Sequence, residues 1–242
     1  MNPIICSAML RGAALLLPLL APLQNALAQS SCSSEGQPRP LQLMERFINA
    51  DCENCWQDPA TAKAKEAYAV LDWVIPGSKG DDAALSAVAS RDGLNRLEAL
   101  KKPAPTNAMT STLPVKGIKN TTLRVAHGIA LSGYIGASIE LKPVPAAARG
   151  KQLTSWLALV ETIPQGTEGS PVERNLVRNV LQSGWDGRKP PAKTEENRFT
   201  ESRAMSVAQG VNADRLRVIG WVEDAKGQVL VAAQSGCEDG NK

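Results

Sequence analysis

The stretch "FINADCENCWQDPA", residues 47 to 60, carries a Cys-x-x-Cys pair just past an apolar run, and its reading decides the fold. Upstream, "LQLMERFIN" is an apolar-rich run that reads as a buried strand feeding a turn. Downstream, "CENCWQDPATAKAKEA" reads as a helix, with Asp51 as the N-cap whose carboxylate accepts from free N–H groups of the first turn. Pro59 lies four residues after Cys55, where it removes the donor that would bond the Cys55 carbonyl, so a kink is expected there. A Cys pair at a helix start has a definite chemistry. The first sulfur meets the N–H groups and dipole that favour a thiolate, and the second, a turn further in, can attack a mixed disulfide. This reading makes Cys52 the attacking thiol and Cys55 the resolving one. Asp51 and Glu53 place carboxylates beside Cys52, disfavour a second negative charge and lean the pair toward a stable disulfide.

Working outward, "YAVLDWVIPG" reads as a second strand ended by Pro76-Gly77. In "DAALSAVASRDGLNRLEALKK", Leu85, Val88, Leu94, Leu97 and Leu100 fall at roughly helical spacing, with Gly93 opposing. Strand, helix, strand, helix makes a βαβα unit. Residues 101 to 114 read as a proline-rich connection. Beyond it the character turns to β. "TTLRVAHGIALSGYIGASIEL" predicts two strands about a Gly-rich turn, and "LTSWLALVET", "RNLVRNVLQ" and "RFTESRAMSV" predict one each. "RLRVIGWVED" and "QVLVAAQ" close a hairpin, with Leu216, Val218, Gly220 and Val222 on one face. The expected fold is α+β: an α/β domain over residues 41–114, then an antiparallel β-sandwich-like domain over 115–237 and a tail at 238–242.

The words "ERFINADCENCW", with Phe47 five residues before Cys52, and the Pro that breaks the following helix resemble a secreted proteobacterial thioredoxin-like family. Its members place a Glu-x-Phe strand end before a Cys-x-x-Cys and continue into a β-rich C-terminal region. The match is strongest over residues 41–60. The resemblance implies a thioredoxin-like α/β domain and thiol–disulfide exchange on a protein partner, with Cys52 and Cys55 on the family's cysteine positions. It also implies a cis-proline facing the pair, for which Leu113-Pro114 is the candidate. The Trp-Cys-Gly-Pro-Cys-Lys wording of active thioredoxins is absent, since Asp51 precedes the pair and Trp56 follows it.

The N-terminus sets the expected compartment. Arg11 precedes "AALLLPLLAPL", and Ala26-Leu27-Ala28 is a small-x-small cleavage site, so residues 1–28 read as a secretory signal peptide and 29–40 as a polar leader. The apolar run is too short and too proline-interrupted to span a membrane, and no later window reaches the ~18 apolar residues a span needs. Lipidation at Cys32 is the alternative, but Gln29-Ser30-Ser31 lacks the aliphatic residue of a lipobox. Removing the signal removes Cys6 and leaves Cys32, Cys52, Cys55 and Cys237, an even count in an oxidising compartment. Their spacing pairs Cys52 with Cys55 and Cys32 with Cys237, the latter a structural clamp across the chain ends.

Of the 242 residues, 27 are Lys or Arg and 24 Asp or Glu, so the formal balance of +3 supplies no single-sign field for nucleic acid. Glycine fingerprints for nucleotides, a G-x-S-x-G elbow and an H-E-x-x-H pair are all missing from the sequence, and no cofactor is expected. A zinc site at the Cys pair lacks further ligands, His127 being the chain's single histidine, so no metal is assigned. His127, in "VAHGIA", reads as a strand or turn residue rather than a base, and Trp56 as a core residue or the wall of a groove. Three readings of the Cys pair stand: a redox dithiol, a structural local disulfide, or a metal site. The first is favoured, with any reducing equivalents supplied by a partner. The rival for the whole chain is a non-enzymatic periplasmic binding or envelope module whose disulfides are structural.

Overall fold

A computed structural model describes residues 32–145, 148, 150–187 and 197–237; the expected signal peptide, the first residues of the leader and the tail lie outside these. The described chain is a two-sheet β structure with one α-helix. A five-stranded sheet has the order β12-β1-β5-β6-β9, formed by Gly236–Cys237, Cys32–Ser33, Thr122–Leu131, Tyr134–Lys142 and Phe199–Ser206. A seven-stranded sheet has the order β11-β10-β7-β8-β3-β2-β4, formed by Val229–Gln234, Leu216–Asp224, Gln152–Ile163, Arg174–Asp186, Tyr68–Ile75, Gln42–Asn49 and Ala108–Pro114.

Alternation drives this arrangement, because successive strand residues point to opposite faces. On β10, Leu216, Val218 and Val222 face the smaller sheet and join Leu157, Leu159, Val125, Ile139 and Leu141 in one core. Gly220 completes that face, and a Cβ there would lie 2.5 Å from the Val125 methyl and 3.0 Å from Ile139, so only glycine lets the sheets meet. The opposite face of β7 and β10 carries Trp156, Ala158, Ile219 and Trp221, which pack with Phe47, Leu71 and Trp73 in a second core. The helix α1, Arg91–Ala99, covers this face. Ser90 caps it, accepting from the Asp92 N–H at 3.1 Å. Gly93 sits where a Cβ would lie 2.7 Å from Ile75, so close packing on β3 outweighs the low helix propensity of glycine.

A buried ion network ties α1 to the sheet. Arg96 donates from Nε and Nη2 to both carboxylate oxygens of Glu45 at 2.8 and 2.9 Å and pairs with Glu223 at 2.8 Å. Its guanidinium lies over the stacked rings of Trp156 and Trp221, 5.0 and 5.1 Å from their centroids. Both indole N–H groups donate to Glu223. Burial opposes the Arg96 charge, but Glu45 and Glu223 outweigh it and raise the guanidinium above its ordinary value.

These observations correct the expected fold class. The thioredoxin-like α/β domain of residues 41–114 is not formed. Strands β2, β3 and β4 are continuous with β8, β7, β10 and β11 in one sheet, and α1 is the single α-helix among the described residues. The helix expected from Cys52 is a three-residue 3-10 turn, Glu53–Cys55. The helix expected from Asp82 onward is confined to nine residues. The connection at 101–114 contains β4, which pairs antiparallel with β2. The separate antiparallel sandwich expected after residue 115 is not formed either: the larger sheet draws strands from both halves of the chain and is mixed, with β2–β3 and β3–β8 parallel.

Candidate functional site

Strand β2 lies between β3 and β4 and delivers the chain at Asn49 into a tight turn, with the Cys52 N–H donating to the Asn49 carbonyl at 3.0 Å. Cys52 and Cys55 follow, joined by a disulfide with their Cα atoms 5.4 Å apart. The Cys55 N–H donates to the Cys52 carbonyl at 3.2 Å and closes the turn. Both cysteines are half-buried, while Glu53 and Asn54 between them are exposed. Cys55 packs against a small core of Ile48, Ala50, Trp56, Val74, Ala83, Ile163 and Leu176.

Asp51 does not cap a helix over the pair. Its carboxylate accepts from the Ser78 N–H at 2.7 Å, the Ser78 hydroxyl at 2.8 Å and the Lys79 N–H at 3.1 Å, fastening the loop after β3 to the turn after β2. Gly77 leaves room for this contact, since a Cβ there would lie 2.2 Å from Asp51 Oδ1. The hydrogen bond from the Ser78 hydroxyl is the main cause that holds the Asp51 carboxyl below its ordinary range. A carboxyl lowered in the folded state stabilises it above the unfolded pKa and loses that effect as pH falls through the folded value. Asp51→Asn is therefore expected to be less stable than the parent at neutral pH, the gap narrowing once pH drops below about 3.9. Urea midpoints across an acid pH series measure this, and a gap that is constant with pH contradicts it.

Behind the pair lies a second buried ion network. Trp56 is buried, its indole N–H donates to the Glu168 carbonyl at 2.8 Å, and its own carbonyl accepts from Arg174 Nη2 at 2.8 Å. The Arg174 guanidinium also lies 4.6 Å from the Trp56 ring centroid. Arg174 Nη1 donates to Asp72 Oδ1 at 2.9 Å, and Arg46 Nη2 donates to Asp72 Oδ2 at 2.7 Å. Arg46 Nη1 takes the Ala62 carbonyl at 2.9 Å, so the loop after the Cys pair is held at both Trp56 and Ala62. Burial pulls the Arg174 guanidinium below its ordinary value, and Asp72 opposes the shift.

The second disulfide joins Cys32 and Cys237, Cα atoms 4.1 Å apart, as the cysteine count predicts. Cys32 stands opposite Cys237 on one side and opposite His127 on the other. His127 is a strand residue, buried, with Nδ1 2.9 Å from the Gly128 carbonyl. Burial lowers its pKa, with the Gly128 carbonyl opposing. The clamp, on the five-stranded sheet, and the Cys52–Cys55 pair, in the turn after β2, are thus separate sites.

Pro114 does not face the Cys pair. It ends β4 opposite Gln42, at the far end of β2 from Asn49, roughly 23 Å away at 3.3 Å per strand residue. Among the described residues the cis peptide is Lys142–Pro143. The residues that sequence reasoning passed over are Arg46, Asp72 and Arg174. For Arg46 and Asp72 the signal is a charge at an inward position of an apolar strand, in "MERFI" and "VLDWV".

Neither a protein-family model nor a curated protein matches the chain. Among solved structures it is similar to HBP35 of Porphyromonas gingivalis, at 13% sequence identity and a TM-score of 0.48, over 84% of this chain and 77% of that one.

Proposed function

We propose that this chain is an extracytoplasmic protein that exchanges the Cys52–Cys55 disulfide with thiols of a protein partner. A partner thiolate attacks the Cys52 sulfur, Cys55 leaves as the thiolate, and a second partner thiol releases the reduced pair while the partner gains a disulfide. In reverse, Cys52 attacks and Cys55 resolves. The observation that carries this reading is that the loop is held without the bond. Trp56 and Ala62 are fastened through Arg174 and Arg46, so the small ring can open and close while its surroundings stay in place. A ring of four residues also contributes only about 2 kcal/mol by loop entropy, a weak reason for a structural bridge.

No helix N-terminus stabilises a Cys52 thiolate here, and Glu53 disfavours one, so a pair of intermediate rather than strongly oxidising potential is expected. The compartment is supported by the two disulfides and by the N-terminal signal-like segment. No helix of the described residues is long and apolar enough to cross a membrane.

The test is the reduction potential of the pair together with trapping of mixed disulfides. Cys55→Ala is expected to hold a partner through Cys52, Cys52→Ala to hold far less, and the potential to lie above about −300 mV. A much lower potential with nothing trapped favours the second reading, a non-enzymatic binding module. What favours that module is the tip of the β5–β6 hairpin, where Ile129, Leu131 and Tyr134 are 73%, 70% and 58% exposed.

A further inference from the structure

We propose that Cys32, Cys237 and His127 form a reduction-gated site for a thiophilic divalent cation of the zinc type. One ligand atom from each residue lies within 4.8 Å of the others. The three side chains come from three adjacent strands at directly opposed positions, Cys237 on β12, Cys32 on β1 and His127 on β5. Neighbouring strands are about 4.8 Å apart, so such a row presents its donors to one point.

Magnitudes favour the fit. Tetrahedral zinc holds sulfur at about 2.3 Å and nitrogen at about 2.0 Å, which sets the donors roughly 3.5–3.8 Å from one another. The imidazole closes by about 1 Å to reach that spacing. The two sulfurs, once unbonded, separate by rotation about their own side-chain bonds. The strands divide this labour: β5 is paired with β6 from Thr122 up to His127, where the register shifts before Ala130, whereas β1 and β12 are two-residue strands at one side of the sheet, β12 at its edge.

The hydrogen bond of His127 to a backbone carbonyl is of the kind that fixes the tautomer of metal-binding histidines. A carbonyl only accepts, so Nδ1 carries the proton toward Gly128 and Nε2 carries the lone pair. Cys237 is exposed whereas Cys32 and His127 are buried, so the fourth coordination position opens toward solvent on the Cys237 side.

The redox step balances as follows. A dithiol reductant donates two electrons and two protons, its own sulfurs join, and the Cys32–Cys237 bond breaks to give two thiols. Zinc then binds both sulfurs and the Nε2 lone pair and displaces the two thiol protons. Removal of the metal returns the dithiol, and exchange with a disulfide oxidant re-forms the Cys32–Cys237 bond while the oxidant's own disulfide is reduced to two thiols.

The experiment uses the full chain with Cys6→Ser, Cys52→Ser and Cys55→Ser, which leaves only the clamp cysteines, so its outcome is independent of the exchange reading. The protein is reduced anaerobically with a phosphine and titrated with cobalt and then zinc. The expected result is thiolate-to-cobalt charge-transfer absorption saturating at a single equivalent and bleached by zinc. Zinc is also expected to raise the unfolding midpoint of the reduced protein while leaving the oxidised one unchanged. His127→Gln, first shown in its oxidised form to keep the near-ultraviolet signal of the packed tryptophans, is expected to bind at least about tenfold more weakly. Absence of the charge-transfer band, or unchanged affinity in His127→Gln, overturns the proposal. So does a reduced chain that loses its tryptophan signal and does not regain it with zinc.

Discussion

Asp72→Asn is expected to destabilise the fold by about 3–5 kcal/mol, because it leaves two buried guanidinium groups without their shared counter-charge. Asp72 is fully buried, and its carboxylate accepts from Arg174, Arg46 and the Asn175 N–H at 2.9, 2.7 and 2.9 Å. Asparagine keeps the volume but has a single acceptor oxygen, and its NH2 must point at a donor. Denaturant titration is the measurement, with a lower midpoint at unchanged slope as the expected result. A local consequence separates this from a general loss of packing. Arg174 and Arg46 hold Trp56 and Ala62, so the loop beyond the Cys pair should loosen first. Lys63 and Lys65, both exposed on that loop, should then be cut faster by trypsin than sites elsewhere. A loss under about 1 kcal/mol with unchanged cleavage at these lysines shows that the network does not hold the loop.

The same network explains why the region after Cys55 was misread from sequence. "CENCWQDPATAKAKEA" has the composition of a helix, and in isolation its propensity is real. In the fold its helical hydrogen bonds are taken by other partners. Pro59 offers no N–H to the Cys55 carbonyl. The Trp56 carbonyl accepts from Arg174, while the Ala60 N–H that would have met it donates to Asp58 at 2.8 Å. The Ala62 carbonyl accepts from Arg46. Both arginines reach the loop from other strands, Arg174 more than a hundred residues away in the chain, so no local window contains the information.

Strands β2, β3 and β5 to β11 were legible because alternation or continuous apolarity is a local signal. The sheet order was not, since the union of β3 with β8 rests on the single pair Asp72 and Leu176. Strand β4 was hidden by Pro103, Pro105 and Pro114 at its margins and by an exposed face with no apolar rhythm. The disulfide pairing was legible from spacing alone, whereas the approach of His127 to the clamp needed the register of β1 on β5.

Replacing the clamp by Cys32→Ser with Cys237→Ser is expected to have the largest effect on stability, about 5 kcal/mol by loop entropy for a sequence separation of 205. The matching change at Cys52 and Cys55, separation 3, is expected to lower stability by no more than about 2 kcal/mol. The contrast follows from the denatured state: the long bridge joins the ends of nearly the whole described chain, whereas the short one restrains a single turn. A second signature accompanies it. Without the clamp the denatured chain expands and exposes more surface, so the urea slope should rise in the Cys32/Cys237 variant and stay constant in the other. Near-equal losses from the two double variants contradict this account and mean that the Cys52–Cys55 bond fixes native packing. That result also weakens the exchange reading, because a bond on which the surrounding loop depends cannot open and close on a partner without disturbing the fold.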